Sequence, residues 1–135
     1  MNAAILPIDP AAEHDTAEKC RILELANVPD DPECSIARAR VEPGATTQWH
    51  QLAGVAERYV ILEGRGRAEI GGLSPREVGP GDVVLIPPGC PQRIANVGKS
   101  DLVFLAVCTP RFRAECYADD ESADSRTQIQ TRVEP

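Results

Sequence analysis

The sequence predicts an all-β protein, a small sandwich or barrel of short strands. Three observations carry this. Apolar and polar residues alternate over short stretches, the two-residue period of a strand with one buried face. The 10 glycines and 12 prolines fall largely between those stretches, as turn signals do. No apolar stripe with a 3.6-residue period runs for the length of a helix. At 135 residues, one domain with a core of its own is expected.

The elements follow in order. Residues 1–18 are rich in Ala, Pro and acids and read as an N-terminal arm. The barrel domain is placed over residues 19–117. Residues 20–25 form a first strand with Cys20, Ile22, Leu23 and Leu25 as its apolar positions. Two prolines and three acids make 28–33 a loop. Residues 35–41 alternate, with Ala37, Ala39 and Val41 on one face and Ile36, Arg38 and Arg40 on the other. A turn at Glu42-Pro43-Gly44 leads into an extended stretch over 46–52. Residues 57–62 are β-branched and aromatic and stop at Gly64. Residues 67–70 end on Gly71-Gly72, a hairpin signal. Residues 82–86 are apolar on both faces and end at Pro87-Pro88-Gly89. Residues 92–96 and 102–108 complete the set. Two-sided apolar strands call for a second buried surface, and a homodimer supplies one. Residues 118–135 form a polar C-terminal tail, with a short edge strand over 127–133 on a partner subunit as the alternative.

Charge and cysteine usage narrow the function classes. A formal charge of −7 argues against nucleic acid and anionic membranes as partners. The five cysteines, Cys20, Cys34, Cys90, Cys108 and Cys116, are odd in number and lack CxxC spacing. Reduced thiols in a cytoplasm fit better than a disulfide framework or a zinc cluster. No signal-like leader and no apolar run of membrane-spanning length is present. With only two histidines, His14 and His50, a three-imidazole site cannot form within one chain.

Two motifs stand in order. The first runs Gly44, His50, Leu52, Glu57, Gly64; the second runs Gly81, Pro87, Gly89, Gln92, Asn96. They resemble the cupin patterns G-x5-H-x-H-x3,4-E-x6-G and G-x5-P-x-G-x2-H-x3-N, with 16 residues between Gly64 and Gly81. The resemblance implies a double-stranded β-helix, the cupin jelly-roll barrel. It also implies a divalent metal held by three histidines and a glutamate. His50 and Glu57 occupy two of those positions, while Leu52 and Gln92 replace the other two ligands. The metal set that remains is His50, Glu57 and Gln92, suited to a weakly held hard or borderline ion of unknown identity.

Alternation puts Gln48, His50 and Leu52 on one face, and Glu57 with Tyr59 and Ile61 on another. The candidate ligand-binding residues are therefore Gln48, Tyr59 and Gln92, joined by Arg38 and Arg40 if their face is the inner one; the outer surface is the first reading for both arginines. An inward Glu57 without a metal needs His50 or an arginine beside it. Trp49 is expected on the face opposite His50. Cys90 reads as a small thiol beside a turn, or alternatively as a nucleophile paired with His50. Phe112 and Tyr117 close one barrel end.

Three functional readings stand side by side. One is a binding module for a small polar or anionic metabolite. Another is a metal-dependent cupin enzyme of isomerase, dioxygenase or lyase type using His50, Glu57 and Gln92. The third is a metal-free enzyme with His50 or Glu57 as the catalytic acid or base. Whether the protein is an enzyme is open at this point.

Overall fold

The computed structural model describes residues 1–119. Eleven strands follow one another: β1 (His14–Asp15), β2 (Arg21–Ala26), β3 (Ser35–Val41), β4 (His50–Leu52), β5 (Ala56–Glu63), β6 (Gly66–Ile70), β7 (Arg76–Val78), β8 (Val83–Ile86), β9 (Gln92–Asn96), β10 (Leu102–Thr109) and β11 (Tyr117–Asp119). Helix is confined to two single turns, Pro10–Ala12 and Ala114–Cys116. One sheet has the order β1-β2-β3-β10-β5-β8, the other β11-β4-β9-β6-β7. The paired strands are antiparallel.

The sequence accounts for this arrangement locally. In β5 the inward positions Glu57, Tyr59 and Ile61 are buried, and Arg58 and Val60 between them are only partly so. In β9 the same alternation buries Gln92, Ile94 and Asn96. The core between the sheets includes Val41, Ile61, Ile94, Leu102 and Phe104, each at most 2% exposed. Asn96 closes the loop after β9: its side-chain amide donates to the carbonyls of Val41 and Ser100, and its Oδ1 accepts from the Gly98 N–H. Gly64 stands where no other residue fits. Its φ is +85°, and a Cβ there would lie 2.6 Å from the Asp101 carbonyl oxygen.

Several expectations change. Residues 14–18 are not a free arm, because His14–Asp15 pairs with β2 and the next three residues line a cavity. The short strand β7 lies in a segment the pattern left unassigned, β11 runs into residues read as tail, and only His50–Leu52 of the stretch 46–52 is regular strand. β11 extends the barrel two residues beyond the expected boundary at residue 117. The edge strand considered over 127–133 lies outside the described residues. No helix among the described residues is long and apolar enough to cross a membrane.

Arg38 and Arg40 are on the outer face. Glu13, whose side chain is 9% exposed, lies 3.1 Å from Arg38 Nη2 and 3.5 Å from Arg40 Nε. Arg40 also reaches Asp101 at 3.2 Å. The Arg38 hydrogen bond is the main cause holding the Glu13 carboxyl below its ordinary pKa. As ligand-binding residues both arginines are therefore corrected: strand alternation turns them away from the interior.

Candidate ligand cavity

The register of the six-stranded sheet builds the site in rows. Glu24, Ala37, Ala106 and Tyr59 lie side by side across β2, β3, β10 and β5. The next row is Ser35, Cys108, Glu57 and Ile86 across β3, β10, β5 and β8. Two alanines at the centre of the first row leave side-chain volume unfilled. The result is a cavity of about 330 Å³ over these rows, lined also by His14, Glu18, Ile22, Phe112 and Tyr117.

A chain of buried polar groups crosses this region. Tyr59 donates its hydroxyl to Gln92 Oε1. The Gln92 Nε2 amide donates to Glu57 Oε1 at 2.9 Å, and the Cys108 thiol points to Glu57 Oε2 at 3.7 Å. Burial pushes the Glu57 carboxyl above its ordinary pKa; the charge of His50 and the Gln92 hydrogen bond oppose that rise, and Glu18 adds to it. Burial, then the negative charge of Glu57, raises Tyr59 well above the usual phenol value, so it remains a donor. The same two causes raise the Cys108 thiol, which is not a thiolate at neutral pH.

A raised carboxyl pKa means that the folded chain holds the proton more tightly than the unfolded chain. Its stabilising effect is full below the unfolded value and is lost as pH rises through the folded value. Glu57→Gln is therefore expected to be more stable than the parent at pH 7.5, on the order of 1 kcal/mol. The gap should close near pH 4.5. Urea unfolding at both values checks this, and a gap that widens on acidification contradicts it.

His50 comes from β4, where it pairs directly with Gln92. Its Nδ1 is 2.7 Å from the Gln48 carbonyl oxygen, so this nitrogen carries the proton in the neutral ring and Nε2 is the acceptor. Nε2 lies 3.5 Å from Glu18 Oε2. The ring stacks on Tyr117 at 5.3 Å and 21°. Glu18 is carried by a strap between β1 and β2. Thr16 N bonds to Cys20 O, Lys19 N to Thr16 O, and Gln48 N to Glu18 O, while Lys19 takes the left-handed conformation with φ 65°.

A sequence model of the cupin domain matches residues 37–108. The chain belongs to the cupin family. This cupin is 37% identical over 81 residues to an uncharacterized protein of Methanocaldococcus jannaschii, covering 60% of the chain and 64% of that protein. It thus spans less than two thirds of that curated relative's length. Among solved structures, a Klebsiella pneumoniae protein of uncharacterized function with a double-stranded β-helix domain superposes with a TM-score of 0.68 at 14% identity, over 82% of this chain and 92% of that one. A predicted oxalate decarboxylase of Thermotoga maritima superposes with a TM-score of 0.62 at 29% identity, over 67% and 80%. The fold is the double-stranded β-helix, and its structural neighbours include this predicted decarboxylase.

The donors of this cupin do not fit the metal that the family pattern implies. Gln92 presents its amide N–H₂, not its oxygen, to Glu57, and its oxygen is taken by Tyr59. Leu52 has no lone pair and packs with Val55, Cys108 and Tyr117. Among the described residues no group of three His, Cys, Asp or Glu side chains is placed to hold an ion. Glu57 and Gln92 are therefore joined by a hydrogen bond, while His50 sits beside Gln92 by strand pairing and turns its ring nitrogens to Gln48 and Glu18.

Other placements differ from expectation. Glu57 is partnered by Gln92 and Cys108, where His50 or an arginine was expected. Gln48 contributes its backbone carbonyl to the site, through His50. Trp49, just before β4, is buried with the Arg93 guanidinium 4.6 Å over its ring. Cys90 is a half-buried thiol directed at the Pro91 carbonyl, 3.6 Å away, and burial raises its pKa. Phe112 and Tyr117 pack together with Leu52 and line the cavity. Glu18 and His14 were missed as site residues, because both lie before the motifs in a stretch whose composition resembles a loose lead-in.

Proposed function

We propose that this cupin binds a small polar molecule in the cavity over Ala37 and Ala106, with Glu57 and Glu18 as its polar walls. The observation that carries the reading is the coincidence of an unfilled volume with buried side chains that already bond one another. Such a chain holds its geometry without a metal and offers the incoming molecule a fixed polar surface. The anionic option considered from the sequence loses its support, since Arg38 and Arg40 face outward.

Differential scanning of the protein against a broad library of amines, sugars, alcohols and organic acids tests this. A true ligand at 100 times its Kd should stabilise the fold by about 2.7 kcal/mol. Ala37→Phe, which fills the cavity, should remove that shift. A flat response across the library overturns the reading.

A second reading is a metal-free acid/base enzyme with Glu57 moving the proton. The raised Glu57 pKa favours it, because a carboxyl poised nearer neutrality both gives and takes a proton. The five cysteines are free thiols, which supports a reducing, cytoplasmic setting.

The chain is also proposed to form a homodimer. Leu62, Val83 and Leu85 are 43%, 55% and 68% exposed on the outer side of β5 and the edge strand β8. Val83 and Leu85 belong to the strand noted in the sequence as apolar on both faces, and a second copy would cover them together with Leu62. Sedimentation at micromolar concentration should give a dimer, and Val83→Glu with Leu85→Glu a monomer. A monomeric parent protein removes this proposal.

A further inference from the structure

We infer that the cavity selects a small organic cation, an ammonium group on a compact apolar body. This deepens the binding reading above and rests on it. Glu18, Glu24 and Glu57 line the cavity, and neither lysine nor arginine is among its lining residues. Lys19, next to Glu18, lines a separate depression with Arg21 and Arg40. Burial raises the Glu24 and Glu57 carboxyls, and His14 also lines the wall, but the carboxyl groups outnumber that basic ring, so the field opposes an anion and attracts a cation.

Charge alone does not define a ligand, and the rings supply the second feature. Phe112 and Tyr117 belong to the cavity wall, and the Tyr117 ring is held nearly parallel to His50. Aromatic faces carry negative potential and attract ammonium groups within about 6 Å. The third feature is the apolar part of the wall, Ile22, Ala37 and Ala106, which offers contact to a hydrocarbon body beside the hydroxyls of Thr16 and Ser35. A metal ion would need several donors converging on a point, and the described residues place no such group. The volume of about 330 Å³ is at the low end for small-molecule sites, which limits the ligand to one compact body.

Isothermal titration with n-butylammonium and tetramethylammonium, against n-butanol and butyrate, tests the charge preference. Both ammonium probes should bind at least about tenfold more tightly than butanol, with butyrate weakest. Glu18→Gln should remove most of that preference. Ala37→Phe should abolish binding of every probe, with Ala106→Leu as the replacement variant if Ala37→Phe fails to fold. If butanol or butyrate binds as tightly as the ammonium probes and the filled variants still lose it, the cation inference fails while the cavity reading stands. If no probe binds at millimolar concentration, the inference fails, and the library screen then decides the cavity reading by itself.

Discussion

Gln92→Leu is expected to destabilise the fold by about 3 kcal/mol, measured by urea unfolding at pH 7. The two side chains are similar in volume, so packing around the site, 1% exposed at Gln92, changes little. What is lost is polar. Gln92 accepts from Tyr59 and donates to Glu57, and both partners are buried. The two losses are unequal. Glu57 lines the cavity, where water can take over its oxygen, whereas Tyr59 is not among the lining residues and its hydroxyl is left without an acceptor. An orphaned buried hydroxyl costs about 1–3 kcal/mol, and a weakened carboxyl adds to it. A loss well below 1 kcal/mol would show that the chain Tyr59–Gln92–Glu57 contributes little to holding the barrel together.

The double substitution Leu52→His with Gln92→His is expected to create a divalent metal site, lowering Kd for Co²⁺ by roughly 10³-fold or more against the parent protein. His50 is already oriented for this, since its Nδ1–H is held by the Gln48 carbonyl and Nε2, 3.5 Å from Glu18 Oε2, is the nitrogen left for an ion. Residues 50 and 52 share a strand face, and position 92 pairs with His50 across the sheet. The substitutions therefore supply nitrogen lone pairs where an apolar group and an amide now stand. Cobalt absorption and equilibrium dialysis read the result. Absence of any gain would mean that the backbone of this cupin, and not only its side chains, has moved away from a metal geometry. The metal-free variant should unfold more easily than the parent, because position 52 lies among Val55, Cys108 and Phe112.

The parts of the fold that were legible in the sequence are those set by local rules. Alternation placed β3, β5, β9 and β10 to within a residue or two, because one face of each is buried and a one-residue slip would exchange core for solvent. The glycines at 44, 64 and 81 all take positive φ, as their turn positions implied. Glu57, Tyr59 and Gln92 were found together for the same reason. Distant partners were less legible. Arg38 and Arg40 had two possible faces, and the deciding residue was Glu13, 25 positions from Arg38. Glu18 enters the cavity on a strap fixed by backbone hydrogen bonds to Gln48 and within residues 16–20, which leave no side-chain signature. Trp49 carried the right parity, but its cover, Arg93, is on another strand. The strands β7 and β11 have three residues each, too few for a period to be seen.

The place of β10 in the larger sheet has a consequence for the order in which the protein assembles. β10 is the last long strand in the described chain, yet it lies in the middle, between β3 and β5. Its pairing joins Cys108 to Ser35 on one side and to Glu57 on the other. During synthesis β3 and β5 are complete while the strand that separates them is still unmade, so each presents an open edge and an uncovered apolar face. Closing such long loops late is slow, in the millisecond-to-second range typical of β-sandwiches and barrels. In that interval the nascent chain is exposed to pairing with its neighbours, and the cavity exists only after residue 108 has entered the gap.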